Sequence, residues 1–218
     1  MNNLNKKAFA LVIFVVYILC FSVMALHRGE SPADLWTMAK IGYQSIPLVL
    51  VLVALFVGYA WRWRIFRGWL VPFPDLNGTW QGTLQSTWID PKTNQGIGPI
   101  PIIVSIKQTF IHLSCVVRTA ESSSHSFMAD FWLDSGNQVR KLGYSYQNQP
   151  RPTIVDRSPP HSGTSLFEII GTPVTKLKGT YWTERKSTGE IELTFRQKEL
   201  LEEFPDDLGS HPMSPPPR

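Results

Sequence analysis

The sequence predicts two membrane-spanning helices followed by one all-β domain, a compact antiparallel up-and-down β-barrel of about eight strands. Three observations carry that reading. Residues 8–26 and 41–61 form two apolar runs, each long enough to cross a hydrocarbon core, which takes roughly 20 helical residues. Near Trp69 the pattern changes abruptly to short alternating segments separated by turn residues. No helical periodicity interrupts those segments afterwards.

The first 68 residues read as a transmembrane helical hairpin with spans 8–26 and 41–61, joined by a short polar loop containing Ser31, Pro32 and Asp34. Pro47 lies in the first turns of the second span, where it marks a start or a bend. Ala54 and Gly58 stand four apart, a small-xxx-small pair that suits close helix approach. Neither span contains Asp, Glu, Lys or Arg, so nothing supports a charged relay through the membrane. Residues 1–68 hold 7 Lys+Arg against 2 Asp+Glu, a net of +5, whereas the chain from Trp69 holds 14 against 15, a net of −1. The basic character therefore belongs to the membrane flanks: Lys6 and Lys7 before the first span, and Arg62, Arg64 and Arg67 after the second. By the positive-inside rule both termini and the β domain face the cytoplasm. This is a multi-pass membrane location. A DNA or RNA polymer, which demands a basic stripe, is not an expected partner. A cleaved signal peptide ending at Val23-Met24-Ala25 competes, but the apolar run exceeds the usual length of such a segment. Cys20 lies in a span and Cys115 in a strand, an arrangement that does not suggest a disulfide.

The domain expected over 69–197 is large enough to bury its own core. Its strands read as 78–88, 101–110, 112–119, 126–134, 139–147, 164–171, 177–184 and 190–197. Alternation puts Trp80 with Leu84 on one face, and likewise Ile102, Val104 and Ile106; Phe127, Phe131 and Leu133; and Ile191, Leu193 and Phe195. Asp90-Pro91, Asn94 with Gly96, Ser135-Gly136-Asn137, Pro173 and Thr188-Gly189 supply turn chemistry. Asn77-Gly78-Thr79, formally a glycosylation sequon, reads as a turn into the first strand. Leu76-Asn77-Gly78-Thr79-Trp80 and Leu177-Lys178-Gly179-Thr180-Tyr181 echo one another, each placing a glycine ahead of an inward aromatic, as a tight barrel corner requires. Trp132 and Trp182 fall out of phase with the core faces and are expected on the outside. Residues 198–218, acidic and then proline-rich, are expected to be disordered.

Catalysis is not expected. There is no G-x-S-x-G, P-loop or G-x-G-x-x-G, and His27, His112, His125, His161 and His211 lack metal-ligand spacing, so neither a catalytic nor a metal site is assigned. What an eight-stranded barrel offers is an interior wide enough for side chains or one small ligand. Two stretches gather polar and aromatic groups on one face: Tyr144, Tyr146 and Asn148, then Tyr181, Thr183 and Arg185, with His161 between them. Tyrosine stacks on bases, Asn pairs with a base edge, and Arg offers a planar fork to phosphate. Each also has a plain role, as a core tyrosine, a salt-bridged strand end or a loop histidine bonded to backbone.

Taken together, two spans and a β-barrel carrying Asn77-Gly78-Thr79-Trp80-Gln81-Gly82, the 144–150 segment, His161-Ser162-Gly163 and Gly179-Thr180-Tyr181-Trp182-Thr183-Glu184-Arg185 resemble a known family. These are the two-transmembrane, β-strand-rich effectors of bacterial cyclic-oligonucleotide antiphage signalling (CBASS). The resemblance implies a cyclic dinucleotide receptor barrel with no cofactor and no reaction of its own. It implies a cyclic nucleotide synthase as functional partner, self-association into homo-oligomers and disruption of the inner membrane, leading to abortive infection. Which pocket residues touch ligand is not part of that implication. A membrane-tethered, lipocalin-like carrier of a small hydrophobic ligand is the alternative, suggested by Gly78-Thr79-Trp80 at the first strand. A protein-docking module with a filled barrel is a third.

Overall fold

The computed structural model describes residues 5–29, 34–91, 93–134 and 136–214, so the loop residues Ser31 and Pro32 and the turn residue Ser135 lie outside the described chain. Contacts divide the protein into two compact units. One is built on the chain up to Pro74 with Thr109–Ile111, the other on Asp75–Gln108 and the chain from His112 on.

The helical unit contains α1 (Lys6–Arg28) and α2 (Leu35–Gly58). At 1.5 Å per residue each exceeds a hydrocarbon core of roughly 30 Å. Asn5 starts α1 by accepting the Ala8 N–H at 3.1 Å, and Gly29 ends it at φ 63°, a conformation glycine adopts without a Cβ penalty. Asp34 caps α2 by accepting the N–H groups of Trp36 and Thr37, so the helix begins earlier than residue 41 and stops at Gly58. Pro47 sits inside it. The helices pack closely at Gly42, where a Cβ would fall 2.9 Å from Tyr17 Oη, whereas nothing lies within 4 Å of such a Cβ at Gly58. The Ala54–Gly58 pair is therefore not the close-packing site. Rings of Phe9, Phe56, Trp61, Phe73 and Phe110 cluster within this unit at centroid separations of 5.6–6.2 Å.

The second unit is the expected barrel. Its strands are β1 (Gly78–Ser86), the two-residue ribbon β2 (Ile89–Asp90) and β3 (Gln95–Gly96), then β4 (Ile100–Gln108), β5 (Leu113–Arg118), β6 (Ser122–Asp134), β7 (Val139–Pro150), β8 (His161–Ile170), β9 (Lys176–Thr183) and β10 (Thr188–Gln197). Eight of them close in the order β1-β10-β9-β8-β7-β6-β5-β4, all antiparallel, and β4 pairs back to β1. The β9–β10 turn falls just before Thr188-Gly189, with Lys186 at φ 61°.

Register stacks the inward residues in rows of graded polarity. Deepest are Ile169, Leu177, Leu193 and Ile102; above them lie Phe131, Leu142, Phe167, Ile191, Leu84 and Ile100. Trp80 plugs this end, fully buried, its indole N–H donating to Leu76 O at 3.0 Å. The next row up is Tyr144, Ser165, Tyr181, Gly189 and Ser86, followed by Tyr146, Gly163 and Thr183, and finally Ser124, Asn148 and His161. The barrel is thus a hydrocarbon plug at one end and a polar lumen at the other.

Of the expected core residues, one lies outside and one is only partly covered. A bulge between Ser126 and Met128 shifts the phase of β6, so Ser124 and Phe131 both face inward while Phe127 is 68% exposed. Where the bulge interrupts pairing, Ser126 Oγ accepts the Cys115 N–H at 2.8 Å. Phe195 lies beside the irregular Thr79/Trp80 register, partly exposed, with its ring edge-on to Trp80 at 5.3 Å. Trp132 and Trp182 are exposed, as their phase predicts, and both cysteines are free and buried.

The expected disorder of the tail gives way to an ordered strap over its described residues 198–214. Thr79 Oγ1 donates to Glu199 O and accepts from Leu201 N–H, while Ser105 Oγ and Arg118 Nη1 both donate to Leu201 O. That explains why Ile103, which points outward from β4, is as buried (0%) as its inward neighbours. Asp207 then takes two hydrogen bonds from Arg196 at 3.0 and 3.1 Å. Leucines spaced among the acids give this segment enough apolar surface to lie down, which its composition conceals.

Candidate functional site

The polar rows enclose a cavity of about 340 Å³. The six residues singled out by alternation, Tyr144, Tyr146, Asn148, Tyr181, Thr183 and Arg185, line it, and so does His161, picked out between the two stretches. Glycines on neighbouring strands give two of the rings their seats. A Cβ at Gly163 would fall 2.6 Å from Tyr146 Oη, and one at Gly189 would fall 2.5 Å from Tyr181 Cε1, so both rings lie close against the barrel wall and leave the lumen open. Tyr181 Oη donates to Ser86 Oγ at 3.0 Å.

The other side chains differ in how much capacity they keep. Asn148 Oδ1 accepts from Ser124 at 2.9 Å, so this amide is partly engaged, while His161 Nδ1 donates to Pro159 O at 3.0 Å. Thr183 Oγ1 is tied to Ser187 Oγ at 2.7 Å and serves the β9–β10 turn. Arg185 is held by long bonds to Ser158 Oγ (3.4 Å) and Pro159 O (3.3 Å). Deeper in, Tyr144 (2% exposed) and Ser165 (1%) are register partners. Ser165 stands near enough to favour the Tyr144 phenolate slightly, yet neither oxygen makes a well-formed hydrogen bond. Two buried hydroxyls without good partners cost free energy, about 1–3 kcal/mol each, unless something polar enters.

Sequence reading missed the mouth. Glu121, between β5 and β6, accepts hydrogen bonds from Arg157 and from Ser214 Oγ (2.7 Å) and lies 3.3 Å from His211 Nδ1. Arg157 also donates to Met213 O at 2.9 Å. Glu121, Arg157, His211 and Met213 all line the cavity. Arg157 sits in a proline-flanked connector and His211 in the tail, where no periodicity marks them.

Burial sets the electrostatics. Desolvation raises the hydroxyl pKa of Tyr144, Tyr146 and Tyr181, so all three remain neutral donors. Desolvation would raise the Glu121 carboxyl too, but hydrogen bonds from Ser214 and Arg157 and the charges of His211 and Arg157 together hold it below the usual value. His161 and His211 are lowered chiefly by burial; at His161 the hydrogen bond to Pro159 O opposes this, Arg185 adds to it and Glu184 opposes it, while at His211 Glu121 opposes it and Arg157 adds to it. Below the ordinary value of 6.5 the unfolded chain takes up protons that the folded one resists, so stability falls as pH drops from there. Thermal melts of the full chain in detergent are expected to lose several degrees, on the order of 5 °C, between pH 7.5 and 5.5. His161→Gln with His211→Gln should flatten that slope, and an unchanged slope would remove these two groups as its cause.

The chemistry on offer is reception. Flat aromatic rings, two guanidinium groups and neutral hydroxyl donors border a lumen whose floor is closed. No group of three or more His, Cys, Asp or Glu able to hold a metal occurs among the described residues. A carrier of a hydrophobic ligand would instead present aliphatic walls at its open end. Comparison with known proteins agrees in kind. A family model described as "Cap15, cyclic dinucleotide receptor domain" matches residues 71–195. The chain is also 29% identical over 162 residues to CD-NTase-associated protein 15 of Staphylococcus schleiferi, covering 72% of this chain and 82% of that protein. With the matched domain spanning more than half of its length, the chain belongs to the Cap15 cyclic dinucleotide receptor family of CBASS effectors.

Proposed function

We propose that the lumen binds one cyclic dinucleotide and that binding drives the protein to oligomerise and disrupt the bacterial inner membrane. The observation that carries this is the pairing of the Tyr146 and Tyr181 rings, which line the lumen, with the poorly satisfied, buried hydroxyls of Tyr144 and Ser165. The rings suit two bases, and Arg157 and Arg185 suit two phosphates. In this reading Tyr144, Tyr146, Asn148, His161, Tyr181, Thr183 and Arg185 surround the ligand. The helices α1 and α2 are inserted in the membrane with both termini cytoplasmic, and the signal comes from a cyclic nucleotide synthase. The chain divides functionally into a hairpin up to residue 68 and a receptor barrel over 69–197. A full swing from 1:99 to 99:1 in favour of the assembled state requires the ligand to prefer it by about 5.5 kcal/mol.

The test uses full-length protein in dye-loaded liposomes of bacterial phospholipid, with calorimetric titration of cyclic di-GMP, cyclic di-AMP, cyclic GMP–AMP and cyclic UMP–AMP. Saturable binding of one of them, with dye release and a shift to larger species, is the expected result. Binding without release would remove the membrane half of the proposal, and absence of binding would remove all of it.

A further inference from the structure

We infer that Arg157 is a phosphate-receiving group of the lumen and that the C-terminal strap is a latch closed by Glu121 standing in for that phosphate. This rests on reading the cavity as a cyclic dinucleotide site. Three groups from two separate parts of the chain converge on one carboxylate: Arg157 from the connector before β8, and His211 and Ser214 from the strap. Arg157 reaches past Glu121 to Met213 O as well, so one guanidinium ties both the carboxylate and the strap. The Glu121 side chain is only 10% exposed, and it is the carboxylate among the described residues lining the cavity.

Two physical conflicts make this arrangement a closed state. A cyclic dinucleotide brings two bases, two sugars and two phosphates, yet about 340 Å³ lies at the small end of ligand pockets, roughly 300–1,000 Å³. His211 and Met213 occupy the mouth through which it must enter. A phosphate placed beside Arg157 also meets Glu121. Once the guanidinium turns to phosphate, the carboxylate is left buried beside an anion, which is strongly unfavourable unless water reaches it. Release of the strap admits that water and widens the mouth together. The fold supplies a hinge: Gly209 has φ 82°, and nothing lies within 4 Å of a Cβ built on it. Before it, Thr79, Ser105 and Arg196 hold 199–207 to the wall, so release is confined to the segment from 209 on.

The experiment is hydrogen–deuterium exchange over 209–214 in the full chain in detergent, combined with calorimetry using the same four cyclic dinucleotides. Two variants separate the roles: Arg157→Ala, and His211→Ala with Ser214→Ala. Without ligand both should speed exchange of the segment, because both remove strap contacts. With ligand they should part. The His211/Ser214 variant should bind as well as the parent or better, with association about fivefold faster, while Arg157→Ala should lose about tenfold or more in affinity, the scale of a lost charge-assisted hydrogen bond. In the parent chain, ligand should speed exchange over 209–214. If Arg157→Ala binds like the other variant, Arg157 only tethers the strap; if ligand slows exchange, the strap closes over ligand instead of leaving. Either result overturns the latch and spares the receptor reading. No binding by the parent chain overturns both.

Discussion

Alanine at Gly179 will cost the barrel about 3 kcal/mol or more, and its melting temperature will fall by about 10 °C or further. A Cβ there would lie 2.1 Å from Leu166 O and 2.8 Å from both Leu166 C and Phe167 Cα. Those are backbone atoms of β8, to which β9 is paired through Phe167↔Gly179 and Leu166↔Thr180. Overpacking against a side chain is relieved by a rotamer change; against a neighbouring strand it is relieved only by moving the strand. Gly143→Ala is the matched control, since its Cβ would meet Leu166 Cδ1 at 3.5 Å, ordinary contact with the same residue. It should shift the melting temperature by no more than a few degrees. Thermal unfolding followed by tryptophan fluorescence reads both, and equal effects would mean that β8 and β9 slide apart freely. The inward rows continue across Gly179 from Phe167 to Ile191, so a strand displaced there also disturbs the floor on which the lumen stands.

The contrast between what the sequence makes visible and what it hides has a physical source. Alternation is local: Tyr144, Tyr146 and Asn148 share a face because a pleat has period two, and no other part of the chain is needed to know it. The eight strands, and the shared face of Tyr144 and Tyr146 that the lumen shows, were legible on that ground. The phase of β6 was not. The bulge at Ser126 and Met128 is a property of its pairing with β7, and it reverses the face of Phe127 without any mark in composition. The ends of β7 and β8 were hidden for a related reason. Asn148, Pro150, His161 and Gly163 are turn-prone types, held in strand by Asn148↔His161 and Tyr146↔Gly163 pairing across the sheet. Most obscure was the mouth, where Glu121, Arg157 and His211 lie 36 or more residues apart and meet only because the strap crosses the rim. Polar groups gathered by tertiary folding leave no periodic trace.

Removing the rings of Tyr146 and Tyr181 together should weaken binding of a cyclic dinucleotide by about thirtyfold or more. Base–aromatic stacking is worth about 1–3 kcal/mol per base, so two rings amount to a loss from roughly thirtyfold to beyond 10⁴-fold. The cost to folding should be smaller than for Trp80, because each ring borders the lumen and abuts a glycine. That asymmetry is what makes the experiment informative. Trp80 is fully buried, and its truncation would remove binding merely by removing the floor. For the tyrosines, Tyr→Phe exchange divides ring from hydroxyl. Tyr181→Phe forfeits the bond to Ser86 but keeps the face, and should bind within about threefold of the parent, whereas Tyr181→Ala should not. The check is calorimetric titration of each variant, paired with a melting curve showing that the barrel is intact. Undiminished binding by the folded double alanine variant would mean that the bases lie elsewhere, and with them the ligand.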